Sequence, residues 1–574
     1  MNVWILRRTW VATATAVCWL TANAASVAPV GAEHGMVVTA QHLASQVGVD
    51  VLKDGGNAVD AAVAVGYALA VVYPAAGNLG GGGFMTIQLA DGRKTFLDFR
   101  EKAPLAATAN MYLGPDGNVV KGLSTNGYLA VGVPGTVSGL EYALSKYGTM
   151  KRASVMAPAI QYAERGFVLD QGDVDMLLTA TEDFRKDAAS AAIFLNKGQP
   201  FAVGQKLAQR DLAKTLRLIS DKGADGFYKG PVGAAIVAAS TAGKGIITQA
   251  DLDQYKAREL PPVECDYRGY HIVSAPPPSS GGVIICEVLN VLEGYPLKEL
   301  GFHSAQAVHY QIEAMRHAYV DRNSYLGDPD FVKNPLDRLL DKGYAAKVRA
   351  AIDPAEAGVS KDIKPGVAPH EGVNTTHYSI VDKWGNAVSV TYTLNDWFGA
   401  KVTAAKTGVL LNNEMDDFTA KLGVPNLYGL VQGEANAIAP GKRPLSSMSP
   451  TIVTREGKPV MVLGTPGGSR IITVVLHTII NVIDYDMNIQ EAVDAPRFHQ
   501  QWLPEATNVE TFAISPDTRK ILEGMGHNLA DAEPANHVAA ILVGAPSLVG
   551  KPVGNKRYYG ANDPRRNSGL ALGY

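Results

Sequence analysis

Residues 353–372 mix Pro, Gly, Ala and charged side chains, a composition that makes a poor core. From Thr376 the pattern turns to strand. Tyr378, Ile380 and Val388 to Tyr392 are β-branched or aromatic, and Asp382-Lys383-Trp384-Gly385-Asn386 has the composition of a turn between two strands. A loose segment therefore runs straight into a β-hairpin, with a hydroxyl residue, Thr375, at the junction. A chain can cut itself at such a place and expose a new N-terminal threonine. Any fold for this chain must then keep the two products associated.

The chemistry of that junction is specific. A β-hydroxyl can attack the preceding carbonyl and shift the acyl group from nitrogen to oxygen, after which water hydrolyses the ester. The product carries a free α-amine beside its own hydroxyl. With a pKa of about 7.7–8.0, much of that amine can be neutral near pH 7 and act as a base. Nucleophile and base then belong to one residue, the arrangement of N-terminal threonine enzymes. Taken alone, the nine residues from Asn374 to Asp382 are better described as an ordinary strand entry, since threonine is common in strands.

The chain has 574 residues, 47% apolar and 19% charged, with a net charge of −3, which reads as globular. No basic run suggests nucleic acid, and no acidic tail is present. Arg7-Arg8, an apolar run from Trp10 to Leu20 and Ala22-Asn23-Ala24 form a signal peptide over residues 1–24, too short to span a bilayer in comfort, so no stable membrane insertion is expected. The arginine pair admits a twin-arginine route. The mature protein is expected to be exported, periplasmic or secreted. Only Cys265 and Cys286 remain after residue 24; they could pair, but their separation does not establish it.

Along the chain, Ala44 to Lys53 and Ala58 to Val72 have helical spacing, with Gly55-Gly56-Asn57 between them. Gly77 to Gly83 is glycine-rich but lacks the Lys-Ser/Thr of a phosphate loop and leads into a strand, so close backbone packing explains it better. Phe84 to Leu89 and Thr95 to Phe99 read as a hairpin that ends in Asp98-Phe99-Arg100-Glu101. Arg100 could be a surface charge or a planar fork for a carboxylate. Val137 to Ala238 is a mostly helical scaffold, Tyr267 to Ser274 a strand, Pro276-Pro277-Pro278 a rigid turn, and Val283 to Leu292 and 303–324 are helices. Asp328 and Asp330 are weak metal candidates, being only two carboxylates. Gly408 to Leu411 reads as a strand and Val474 to Asp484 as a helix. Asp416-Asp417 could be solvated surface or receive an ammonium. The turn-rich stretch 420–438 has the character of an active-site lid, with Tyr428 near its tip.

Several segments resemble the γ-glutamyltranspeptidase family in order and spacing: Thr375 to Ser379, Tyr392 to Asn395, Leu411 to Phe418, Arg443 to Pro450, and Pro466 to Ser469. The Asp98-Phe99-Arg100-Glu101 motif, the glycine-rich loop and the terminus Tyr559 to Arg565 resemble it too, so the likeness covers nearly the whole chain. It implies an α/β (α+β) fold, the Ntn-hydrolase four-layer αββα sandwich formed by two subunits cut from one precursor. The large subunit would be 25–374 and the small, catalytic one 375–574, cut between Asn374 and Thr375. By this resemblance Arg100, Ser446 and Ser447 take the α-carboxylate of a γ-glutamyl group, and Asn395, Glu414 and Asp417 take its ammonium. Thr375 is the nucleophile, with Thr393 in support. The Gly467 and Gly468 amides hold the oxyanion, and Tyr428 belongs to the lid. The implied substrates are glutathione and related γ-glutamyl compounds, with water or amino acid and peptide acceptors, and no cofactor or metal is implied. The alternatives are a glutaryl or cephalosporin acylase, which has no use for an ammonium site, and a non-catalytic exported solute-binding protein.

Overall fold

The computed structural model describes residues 26–362 and 375–574. The expected signal peptide and Asn374 lie outside the described residues.

The hairpin at the junction is the centre of the molecule. Strands Thr376–Val381 and Ala387–Thr393 pair antiparallel, from Thr376 opposite Tyr392 to Val381 opposite Ala387. Asp382 organises the turn: its Oδ1 accepts from the amides of Trp384 (3.0 Å) and Asn386 (2.9 Å). On one side the hairpin pairs with Met36–Thr39, on the other with Gly82–Gln88. Both neighbours precede the junction, so the hairpin is interleaved between strands of the first segment. Leu570–Gly573, Lys94–Asp98 and Arg258–Leu260 complete this seven-stranded antiparallel sheet.

Every residue of the two hairpin strands is buried, and the two faces bury against different things. Tyr378, Ile380, Val388, Val390 and Tyr392 pack into a large apolar core with helix Ala58–Val72. The two tyrosine hydroxyls donate to helix carbonyls, Tyr378 to Ala62 (3.0 Å) and Tyr392 to Gly66 (2.9 Å). The alternate residues are mostly hydroxyls aimed at a second sheet. Ser389 Oγ donates to the Leu463 carbonyl and Ser379 Oγ to that of Ala539, each at 3.0 Å. The alternation follows from the two-residue period of a strand.

The second sheet is also seven-stranded and antiparallel, in the order Val30–Ala32, Tyr558–Asn562, Ala539–Val543, Lys458–Gly464, Thr451–Arg455, Tyr270–Ser274, Val263–Tyr267. Its outer face is covered by helices Gly281–Leu292 and Ile471–Ile483. Helices His42–Lys53 and Ala58–Val72 cover the first sheet. The result is a four-layer αββα sandwich, with a thin apolar seam between the sheets that includes Met36, Val38, Val381, Ile452, Val462 and Ile541.

Some expectations need correction. The single strand Tyr267 to Ser274 is two strands, Val263–Tyr267 and Tyr270–Ser274. Arg268 and Gly269 both take positive φ (48° and 81°), the requirement of a two-residue hairpin turn. Cys265 and Cys286 form a disulfide that ties the first of these strands to helix Gly281–Leu292. The glycine-rich loop does serve close packing: a Cβ on Gly81 would sit 2.0 Å from the Thr393 carbonyl oxygen, and one on Gly80 2.1 Å from that of Leu410. Asp328 and Asp330 engage arginines, Arg258 with both and the Arg443 amide with Asp328. Among the described residues no helix is long and apolar enough to cross a membrane.

Candidate active site

Thr375 enters the first strand of the hairpin, and Thr393 ends the second. Because Thr376 pairs with Tyr392, the register brings these two threonines together, with their Oγ atoms 3.5 Å apart. Thr393 is held firmly. Its carbonyl accepts from Asn78 Nδ2 (2.9 Å), and its Oγ accepts from the Asn395 amide (2.8 Å). Both threonines line one small cavity whose walls include Arg100, Arg322, Asn395, Glu414, Asp417, Tyr428, Ser446, Ser447 and Gly468. Ten of the residues singled out from the sequence therefore converge on one place.

Arg100 follows strand Lys94–Asp98 and is fully buried. Asp98 Oδ1 accepts from its amide (2.9 Å) and its carbonyl accepts from Tyr255 Oη (2.7 Å). Its guanidinium pairs directly with Glu414 and with Asp417, and Glu101 lies 3.6 Å away. The residues expected to bind the carboxylate and those expected to bind the ammonium are thus in direct contact: Arg100 and the two acids form one cluster, as buried opposite charges do. Burial pushes Glu101 up to about 7 despite Arg100, and burial also pushes Glu414 well up, with its neighbouring carboxylates adding to the shift.

The adjacent acids divide their work. Asp416 accepts from Ser124 Oγ (2.6 Å) and the Leu427 amide (2.8 Å), anchoring the turn-rich stretch 420–438, and burial raises it to about 6. Asp417 faces the cavity. Tyr428 is buried over the site. It donates to the Asn395 carbonyl (2.5 Å), and its ring lies against the Gly468 backbone, where a Cβ would meet it at 2.3 Å. Asn395 itself takes φ 75° and donates to the Asn413 carbonyl (3.0 Å).

Ser446 and Ser447 are positioned from the other segment of the chain. The Pro276-to-Gly282 turn holds them: the Ser446 amide donates to the Pro278 carbonyl, and the Ser280 amide to the Ser446 carbonyl, both at 2.8 Å. Gly467 and Gly468 have φ of 131° and 55° and precede helix Ile471–Ile483, whose N-terminal end carries partial positive charge. Gly468 lines the cavity. Gly467 is not among its lining residues and packs under Asn536, where a Cβ would meet Nδ2 at 1.8 Å.

Arg322 is the residue that sequence reasoning missed. It sits near the end of helix Ala305–Tyr325, among charged residues that look like a solvated face, and no local signal marks it. Among the described residues, His309, Glu313 and His527 are the group close enough to hold a metal ion. Most of their polar atoms have protein partners: the two histidines bond each other (2.8 Å), His309 bonds the Asp353 carbonyl (2.7 Å), and Glu313 pairs with Arg316 (3.3 Å), while His527 Nδ1 is buried without a hydrogen bond.

A family model described as gamma-glutamyltranspeptidase matches residues 44–573. The chain belongs to the γ-glutamyltranspeptidase family. A relative named glutathione hydrolase proenzyme, from Pseudomonas sp. (strain A14), is 77% identical, covering 98% of this chain and 98% of its own. Among solved structures, the Helicobacter pylori gamma-glutamyltranspeptidase is 50% identical over 56% of this chain and 93% of that one, with a TM-score of 0.56. A cephalosporin acylase from Bacillus halodurans is 27% identical over 96% of this chain and 97% of its own, with a TM-score of 0.81. The αββα sandwich of this γ-glutamyltranspeptidase family member is the Ntn-hydrolase fold.

Proposed function

We propose that this protein is a self-cleaving N-terminal-threonine enzyme that cleaves γ-glutamyl amide bonds, glutathione among them, and passes the glutamyl group to water or to an amino acid or peptide acceptor. The observation that carries this reading is the Thr375 hydroxyl at the end of a buried hairpin, lining a cavity that also holds arginine, carboxylate and serine side chains. The family membership and the relative named glutathione hydrolase proenzyme support it.

Maturation begins with Thr375 Oγ attacking the Asn374 carbonyl. The peptide bond is exchanged for an ester, which water hydrolyses, leaving an Asn374 carboxylate and a free Thr375 amine. The subunits are then 25–374 and 375–574. In turnover the amine takes the Thr375 hydroxyl proton as Oγ adds to the γ-carbonyl of the donor. The Gly467 and Gly468 amides stabilise the oxyanion, helped by the helix end behind them. The proton passes to the leaving amine, a γ-glutamyl ester remains on Thr375, and water or an acceptor amine attacks it. Arg100, Ser446 and Ser447 receive the donor's α-carboxylate, and Asn395, Glu414 and Asp417 its ammonium. Residues 420–438 act as the lid under which this happens. We place the enzyme in the periplasm or outside the cell, after removal of residues 1–24.

The acylase reading has the support of the acylase structure, but a glutaryl group carries no ammonium for Asp417 to receive. Denaturing electrophoresis with N-terminal sequencing tests the maturation: two bands are expected, the smaller beginning Thr375-Thr376-His377. Release of nitroaniline from γ-glutamyl-p-nitroanilide but not from glutaryl-p-nitroanilide is expected, and the reverse pattern would replace this reading with the acylase one.

A further inference from the structure

The cavity contains a second buried cation whose partners are all neutral. Arg322 is fully buried and lines the cavity. Its Nε donates to Ser280 Oγ (2.9 Å), its Nη1 to Asn323 Oδ1 (2.8 Å) and Gln432 Oε1 (3.3 Å), and its Nη2 to Ser447 Oγ (2.9 Å). Among the described residues no carboxylate forms an ion pair with it, and Asp417 acts on it only from longer range. Buried charges are ordinarily paired, because an unpaired one keeps the full penalty of desolvation. That penalty lowers Arg322 to about 10. Arg100, by contrast, pairs directly with Glu414 and Asp417.

The hydrogen-bond directions show what the charge does. An arginine only donates, so both hydroxyls it touches must accept from it and send their own hydrogens elsewhere. Ser280 sends its hydrogen to the Ser446 carbonyl (2.7 Å). Ser447 lines the cavity, so its hydrogen is left to point inward at an acceptor. We infer that Arg322 is a positioning residue that makes Ser447 an obligate donor and supplies the counter-charge for the substrate's α-carboxylate, one hydroxyl away. Its bond to Gln432 ties the same charge to the lid stretch, where Gln432 Nε2 also donates to the Asp417 carbonyl (3.0 Å). This inference rests on the γ-glutamyl reading above and names the group that recognises one end of the donor.

Calorimetry of the two-subunit protein with L-glutamate and with 4-aminobutyrate tests it, since the second ligand is the first without its α-carboxylate. In Arg322→Gln the dissociation constant for L-glutamate should rise by about 10- to 100-fold, the range for removing a charged hydrogen-bonding partner, while that for 4-aminobutyrate stays within about twofold. Arg322→Lys should recover most of the preference. Ser447→Ala should lose a similar share, and the double variant Arg322→Gln/Ser447→Ala should lose little more, because the two act as a unit. An unchanged preference for glutamate in Arg322→Gln, with both ligands weakened alike, would show a merely structural role and overturn the inference. If Arg322→Gln does not mature, Arg322→Lys and Ser447→Ala decide the matter by the same ratio. Nitroanilide turnover by the wild type is read separately, so failure of the γ-glutamyl reading appears there, not in the ligand ratio.

Discussion

Two buried arginines face one cavity in opposite electrostatic company. Arg100 has three carboxylates around it, Glu101, Glu414 and Asp417. Arg322 has an amide pair and two hydroxyls. One side carries a surplus of carboxyl groups, two of them raised by burial, and the other an uncompensated positive charge. A ligand bearing both an ammonium and a carboxylate on one carbon meets both needs at once. The difference shows that a charged side chain's contacts, more than its burial, decide how far its charge is already balanced within the protein.

The comparison breaks most visibly at Arg100. Arg100→Gln leaves three buried carboxylates without their cation and should destabilise the protein by about 3–5 kcal/mol, read as a large fall in the unfolding midpoint. Arg322→Gln should change stability by only about 1 kcal/mol, because removing an unpaired buried charge also removes its desolvation penalty. If the two variants unfold alike, the contrast between the arginines is wrong.

A pH series sharpens the acidic side. Glu101 is raised in the folded state to about 7, so its contribution to stability is fully present below its unfolded value, about 4.5, and is lost as pH rises through about 7. Glu101→Gln should flatten the stability profile over that window, and an unchanged slope would reject the assignment. The histidines give the opposite sign elsewhere. Burial holds His303 near 4 and His499, His527 and His537 near 3, so the stability they contribute is present above about 6.5 and falls as pH drops toward those values. Equilibrium unfolding at stepped pH should show a decline of up to about 1.4 kcal/mol per pH unit for each imidazole. The smallest expected effect is at the proposed lid: Gln432→Ala removes the bond between Arg322 and residues 420–438 and should raise the donor KM by about two- to fivefold with little change in kcat, consistent with one long neutral-acceptor hydrogen bond.

Much of the frame was legible because it is written in local pattern. The alternation in residues 376–393 specifies a strand pair, and the Ala-rich run Ala58–Val72 after Gly55-Gly56-Asn57 specifies a helix, whose Asn57 cap only the structure shows. The candidate site was legible through motif order, since Thr375, Arg100, Asp417 and the Ser446-Ser447 pair stand in recognisable company. What escaped depends on distant partners. Strands Thr451–Arg455, Lys458–Gly464 and Ala539–Val543 acquire meaning only once a sheet brings them together. Arg322 looks like any helical charge until Ser280 and Ser447 are folded onto it. The pairing of Arg100 with Glu414 and Asp417 could not be read either, because charge sign is visible in a sequence but proximity between residues hundreds of positions apart is not.

The interleaved hairpin has a consequence for the life of the cut protein. Residues 376–393 would enter any attempt to make segment 375–574 alone as a two-stranded ribbon with both edges bare, since their neighbours Met36–Thr39 and Gly82–Gln88 belong to the other segment. Bare apolar edges recruit further strands, and such a fragment is a nucleus for aggregation. The same holds in reverse for segment 25–374, whose half-sheet would have a gap where the hairpin belongs. Neither segment is an independent folding unit: the protein has to be assembled whole before it can be divided, and once unfolded after the cut it has lost the covalent link under which its sheet was built.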